Sequence, residues 1–199
     1  QGGRLKVNPS GVTGDVVLNG GTASIDGQSG KAIVNDRGIL GGNGVVAGLA
    51  VQAGGTVAPG NSIGALAVTG NFTQDGGFYQ VEVNATGKSD RINVGGTATI
   101  KGGSVQVLEQ NGKYAPRTTY TILSAADGLS GAYSGVRVPG NFAFLTYSLA
   151  YDANKGFVTS ARRLSPEFEP YVSSFSGSYA GSLRLRQAWS FGKDVRDAS

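Results

Sequence analysis

The chain has 199 residues, 34 of them glycine, a net charge of +4, and no cysteine, methionine or histidine. Those three absences exclude disulfides, thiolate catalysis, histidine-dependent triads and the usual zinc sites. Glycine, at roughly 17%, is more than twice its usual share of about 7% but follows no period of three, which excludes a collagen-like chain.

The glycines punctuate short runs rich in Val, Ile, Leu, Thr and Tyr, the pattern of many short strands joined by tight turns, so the expected fold is all-β. Lys and Arg outnumber Asp and Glu by 13 to 9 before Ser165 and match them, 4 to 4, from there on. The positive residues are scattered singly with no clustered basic face, so no nucleic-acid partner is expected. No apolar run approaches the roughly 18 residues of a membrane helix, and the start does not resemble a signal peptide. With no Met at position 1, the sequence reads as a fragment or processed segment; if its parent is exported, the signal lies upstream.

From Gln1 to Asp36, apolar groups recur at Leu5 to Val7, Val16 to Leu18, Ala23 to Ile25 and Ala32 to Val34, about ten residues apart, which fits either a β-solenoid or a sandwich. Gly-Gly-Thr recurs at Gly20-Gly21-Thr22, Gly54-Gly55-Thr56 and Gly95-Gly96-Thr97, favouring a solenoid of similar stacked corners. Gly42-Asn43-Gly44-Val45-Val46-Ala47 matches a dinucleotide fingerprint in letters, but Gly48 and the β-branched residues deny it the helix that chemistry needs. Gly41-Gly42-Asn43-Gly44 begins like a calcium-binding repeat and has Val46 where an Asp is required.

The rest of the chain is organised around Gly54 to Phe72. Thr56 to Ala58 and Ala65 to Val68 read as strands flanking a corner fixed by Pro59, with Ala58 extended, Gly60 at positive φ and Asn61 bonding its own backbone. Ile63, Leu66 and Val68 are expected to enter the core. Tyr79, Val81 and Val83 alternate with Gln80 and Glu82 as a half-buried strand. Strands are also expected over Asp90 to Val94, Thr97 to Ile100, Ser104 to Leu108 and Tyr120 to Leu123. An aromatic-rich pair at Phe142, Phe144, Leu145, Tyr147, Leu149 and Tyr151 closes on Asp152 to Gly156 before Phe157 and Val158.

Gly55-Thr56-Val57-Ala58-Pro59-Gly60-Asn61-Ser62-Ile63-Gly64-Ala65-Leu66, followed by Val68, Gly70-Asn71-Phe72, Tyr79 to Val83, Ser89 to Val94, Tyr120 to Leu123 and Leu149 to Asp152, resembles the C-terminal passenger region of bacterial autotransporters, the pertactin-like, type V secretion family. The resemblance implies a right-handed parallel β-helix (β-solenoid) with a C-terminal β-hairpin or β-sandwich-like cap. It implies residues 1–36 as upstream rungs, residues 37–164 as the passenger's autochaperone region, and residues 165–199 as a tail. The positions that carry it are Gly55, Pro59, Gly60, Asn61, Ser62, Gly64, Leu66, Val68, Gly70, Asp90, Tyr120, Tyr151 and Asp152. Its implied partners are an outer-membrane β-barrel and upstream passenger of the same parent chain, with a host surface ligand beyond them, at the bacterial cell surface or secreted. Within these 199 residues the family's signal sequence and outer-membrane barrel are not matched, few rungs are expected before residue 37, and the usual passage into the barrel is not matched from Ser165 onward.

That tail alternates Tyr171, Phe175, Tyr179, Leu183, Leu185, Trp189 and Phe191 with Ser174, Ser176, Ser178, Ser182, Arg184, Arg186 and Ser190, as outer-membrane strands do. A truncated barrel segment, a surface hairpin and a disordered extension all fit it. Lys88-Ser89 supplies the residue types of a Ser-Lys hydrolase, but neighbouring strand residues face opposite ways. The acids Asp75, Glu82, Asp90, Glu109, Asp127 and Asp152 stand singly in sequence. The expectation is therefore no enzyme, no cofactor and no metal, but a structural and folding module. The alternative is an adhesin or glycan-binding module on a solenoid face.

Overall fold

The structure, a computed structural model, describes residues 2–139 and 145–162. The chain divides into two units, Gln1–Arg163 and Leu164–Ser199, and the described residues lie in the first. Phe142, Phe144 and the alternating tail fall outside the described residues.

Nineteen strands form two sheets and no helix occurs among the described residues. The strands recur in tiers. The first tier is β1 (Arg4–Val7), β2 (Val12–Thr13) and β3 (Val16–Leu18); the second is β4 (Gly21–Ile25) and β5 (Gln28–Val34); the third is β6 (Gly38–Gly42) and β7 (Val45–Val51). The fourth, β8 (Thr56–Pro59), β9 (Ala65–Val68) and β10 (Phe72–Gln74), splits one long strand into two. The fifth is β11 (Phe78–Val83), β12 (Arg91–Val94) and β13 (Ala98–Ile100); the sixth is β14 (Ser104–Glu109), β15 (Arg117–Ala125) and β16 (Leu129–Gly131). After β17 (Gly135–Arg137) come β18 (Leu145–Tyr151) and β19 (Lys155–Arg162).

The seven-stranded sheet runs β1-β4-β6-β8-β11-β14-β17, entirely parallel. The twelve-stranded sheet is parallel until its end, where β19 pairs antiparallel with both β15 and β18. Parallel strands are joined only by crossovers, so each tier returns through the opposite sheet before it pairs again. The result is all-β, with curled parallel and mixed sheets of a solenoid-like class.

In-register pairing stacks like on like. One inward column of the first sheet is Leu5, Ala23, Leu40, Val57, Tyr79, Val105 and Val136. Facing it in the second sheet are Val16, Ala32, Leu49, Phe72, Ala98 and Leu129. These columns contribute to a single core between the sheets in which Leu40, Val57, Phe72, Tyr79 and Val105 are fully enclosed. The strand period of two explains the choice: Tyr79, Val81 and Val83 go in, Gln80 and Glu82 stay half exposed.

The tiers lengthen along the chain. Column partners lie 17 residues apart from Leu40 to Val57, 22 from Val57 to Tyr79, 26 from Tyr79 to Val105, and 31 from Val105 to Val136. The first increment is the corner between β8 and β9. Gly60 takes φ +88° there, and a Cβ at this position would run into the Ser62 carbonyl oxygen. Two expectations fail locally. Asn61 bonds Asp26 across the tiers rather than its own backbone, and Ile63 is only half-buried because it sits on the corner instead of a strand. The Gly-Gly-Thr repeats divide as well. Thr22 and Thr56 both pair with Ile39 at the start of first-sheet strands, whereas Gly95-Gly96-Thr97 joins β12 to β13 in the other sheet.

Gly60→Val is therefore expected to lower stability by more than about 2 kcal/mol, combining αL strain with a backbone clash. Gly135→Ala, where an added Cβ meets nothing within 4 Å, should stay within about 0.5 kcal/mol of the native chain by urea unfolding.

Candidate functional site

Among the described residues most side-chain polar groups bind one tier to the next or tie the strands of the last tier together. At the corners, a side-chain oxygen of one tier accepts a backbone N–H of the tier after it. Asp15 Oδ1 accepts from Lys31 N at 2.7 Å, Asp26 Oδ1 from Asn43 N at 3.1 Å, Asn43 Oδ1 from Ala65 N at 3.1 Å, and Asn71 Oδ1 from Thr97 N at 3.0 Å. Asn43 and Thr97 lie outside the strands, Ala65 opens β9, and Lys31 sits in β5 opposite the break between β2 and β3, so each N–H lacks a ladder acceptor in the preceding tier and needs such a partner. Asn61 Nδ2 also donates to Asp26 Oδ1 at 2.8 Å and Ser24 Oγ to Asp26 Oδ2 at 3.3 Å; the Asn61 bond does most to hold the Asp26 carboxyl below its usual range.

The corner of the fourth tier is held from inside. Asp90, only 2% exposed, accepts from Gly64 N on Oδ1 and from Glu82 N on Oδ2, both at 2.8 Å. Its own N–H donates to the Glu82 carbonyl at 2.9 Å. One carboxylate thus ties the corner before β9 to strand β11. Burial pushes the Asp90 carboxyl up to about 7, against the two backbone N–H groups that favour its charged form, and the Glu82 carboxylate adds to the rise.

The far end is an aromatic cap. Tyr79 donates to the Ile122 carbonyl from the middle of the core. Tyr120 donates to Asn84 O at 2.9 Å, and the Tyr114 hydroxyl lies 2.8 Å from Gln110 O and 3.0 Å from Val83 O. Arg162, at the end of β19, donates to Tyr114 O at 2.8 Å, fastening the terminal hairpin. Tyr133 reaches back to the fourth tier, donating at 3.1 Å to Oε1 of Gln74, a fully enclosed polar side chain in the column Leu18, Val34, Val51, Gln74, Ile100. Gln74 Nε2 meets the Gly76 carbonyl at 3.1 Å, and the Tyr133 ring lies 6.0 Å from that of Tyr79. Tyr133 N donates to Tyr151 Oη at 3.0 Å. Burial raises the Tyr79 and Tyr133 hydroxyls well above the ordinary tyrosine range and lifts Tyr114 to about 12. Both Glu109 oxygens and the Tyr147 hydroxyl are enclosed without a hydrogen-bond partner among the described residues; burial, then the neighbouring Glu109, pushes Tyr147 up.

The residues singled out from sequence fall into three places. Pro59, Gly60, Gly64 and Asp90 come together at one corner; Pro59 ends β8 opposite Gly42, and Asn61 and Ser62 are exposed on its outer side. Leu66 and Val68 are buried beneath it, Gly55 precedes β8, and Gly70 separates β9 from β10 while donating to Ala47 O. Tyr120, Tyr151 and Asp152 belong to the cap, Asp152 closing the hairpin turn by accepting from Asn154 N and Lys155 N. Sequence reasoning missed the Asx links, Gln74 and Tyr133. Gln74 carried a signal, being two residues after Phe72 and hence on the same inward face. The Asx links carried none, because tiers of unequal length give them no common spacing.

Ser89 Oγ donates to the Thr121 carbonyl at 3.3 Å, which commits the hydroxyl to the backbone. Among the described residues no three acids gather as a metal site. No protein-family model matches this sequence, and no curated protein matches it either.

Asp90→Ala leaves two buried N–H groups unpaired and should cost about 1–3 kcal/mol. Because the folded carboxyl titrates near 7 against an ordinary 3.8, its contribution is complete below about 3.8 and is lost as pH rises through about 7. The advantage of the native chain over Asp90→Asn in urea should accordingly shrink from about pH 4 to about pH 8; an advantage that grows with pH contradicts this. Tyr133→Phe, which strands Gln74 Oε1, should cost about 1–3 kcal/mol without changing the far-ultraviolet dichroism.

Proposed function

We propose that this chain is a structural and folding module, the autochaperone end of an autotransporter passenger, whose tiers are the last rungs of a right-handed parallel β-helix. The observation that carries the reading is the change of pairing at the end of the twelve-stranded sheet. After a parallel stack, β15 meets β19 antiparallel, and β18 closes outside it. A stack of parallel strands leaves an unpaired edge that would recruit any other strand. A hairpin held by its pairing with β15 and by Arg162 on the Tyr114 carbonyl protects that edge, and the rigid tiers below it offer a template for the next rung.

On this reading the cap, Tyr114 to Val158, forms early outside the cell and the upstream tiers add to it in register. The missing cysteines fit such a route, since no disulfide can lock the chain before it threads a narrow pore. The partners are the outer-membrane barrel and the upstream passenger of the same parent, at the cell surface or after release.

A second reading, a glycan-binding face, draws on an open groove of about 370 Å³ on the first sheet, lined by Arg4, Lys6, Ser24, Ile39 and Asn61 among others. Its polar rim and exposed Ile39 suit a sugar's hydroxyls and apolar face. Deleting Tyr114 to Val158 from the full-length parent should leave the passenger open to protease at the surface. Unchanged resistance would overturn the folding reading, and glycan-array binding abolished by Asn61→Ala with folding intact would favour the second.

A further inference from the structure

Strand β11 ends in a turn that neither the corners nor the aromatic cap accounts for. Its sequence is Asn84-Ala85-Thr86-Gly87-Lys88, and Asn84-Ala85-Thr86 has the Asn-x-Thr form of an N-glycosylation acceptor. We propose that Asn84 is such an acceptor, taking a sugar from an activated glycosyl donor whose anomeric carbon bears a diphosphate leaving group.

The local geometry is that of an Asx turn. Asn84 Oδ1 accepts from Thr86 N at 3.1 Å, from Thr86 Oγ1 at 2.8 Å and from Lys88 N at 3.0 Å. The amide is gripped by its oxygen alone. Nδ2 donates to no acceptor among the described residues and is not enclosed, so the nitrogen is the outward end of the group. Three donors on Oδ1 draw electron density toward oxygen and make the Nδ2 protons more acidic. The Thr86 hydroxyl makes one of these bonds, which gives the third position of the motif a physical role here. Thr86, Gly87 and Lys88 are exposed and Gly87 turns at φ +84°, so an enzyme can approach the tip. The backbone beneath is anchored, with Asn84 N donating to Lys88 O at 3.0 Å and Tyr120 donating to Asn84 O.

The chain contains its own comparison. Asn71-Phe72-Thr73 has the same letters, but Phe72 is fully buried in β10 between β7 and β13, and Asn71 Oδ1 is occupied by Thr97 N. A strand paired on both sides cannot form the turn. Asn8-Pro9-Ser10 is blocked by its proline.

In the transfer, the Asn84 Nδ2 lone pair forms the bond to the anomeric carbon as the carbon–oxygen bond to the diphosphate breaks. The diphosphate leaves with that electron pair, and the Nδ2 proton passes to a carboxylate of the transferase. No oxidation or reduction is involved.

The test uses the folded full chain in two arms. One has a soluble N-glycosyltransferase with UDP-glucose, and the other a membrane oligosaccharyltransferase with a lipid-diphosphate-linked sugar, each first shown to modify a peptide of residues 80–90. Intact mass and fragmentation should place one glycan on Asn84 in at least one arm, absent from Asn84→Gln and retained in Asn71→Gln. Thr86→Val should slow transfer about tenfold, the loss expected of one hydrogen bond, while Thr86→Ser stays close to the native rate. Circular dichroism reports whether each variant folds. If Asn84→Gln does not, the Thr86 pair decides. A folded chain unmodified in both arms, Asn71 modified as readily as Asn84, or Thr86→Val as fast as Thr86→Ser would each overturn the proposal.

Discussion

The structure depends on parallel, in-register pairing between tiers. Each strand takes its backbone partners from the tier before and gives them to the tier after, so a side chain is committed to a column as soon as its neighbour is placed. This is why Val57 lies between Leu40 and Tyr79, and why Phe72 lies between Leu49 and Ala98. Burial then follows the columns, and a one-residue slip would turn every inward residue outward. Where the fourth tier must shift, it does so at Gly70-Asn71, between two short strands that together face the single β7.

The corners carry the polar cost of that arrangement. Backbone groups leaving a strand lose their ladder partners, and the Asx oxygens of the preceding tier replace them. As the tiers lengthen, the corners hold more residues, and one carboxylate, Asp90, comes to serve a corner and a strand from a buried position. Its raised pKa is the counterpart of that placement: desolvation outweighs the hydrogen bonds that the charged form would strengthen.

The aromatic cap solves a different problem. The spacing between column partners grows from 17 to 31 residues, and the interior this creates must be filled near 0.75 packing density. Tyr79, Tyr120 and Tyr133 fill it with large rings whose hydroxyls reach backbone carbonyls or Gln74. Each ring therefore packs and satisfies a polar group at once. The hairpin of β18 and β19 then replaces the parallel partner that the next tier would have supplied.

The sequence by itself determined the all-β class, the positions of most strands and several inward faces, but did not place β2, β6, β7, β10, β16 or β17. Tyr79-Val81-Val83 and Leu66-Val68 were legible because strand alternation is local and each apolar residue declares its side. Gly60 was legible because a sharp corner after a proline needs a residue at home in positive φ. Tertiary structure alone decided which strand lies beside which, since column partners 17, 22, 26 and 31 residues apart leave no fixed period to read. For the same reason it alone joined Asn61 to Asp26, Asp90 to Gly64 and Tyr133 to Gln74. Ile63 stayed only half-buried because a corner, unlike a strand, has no inward face to offer it.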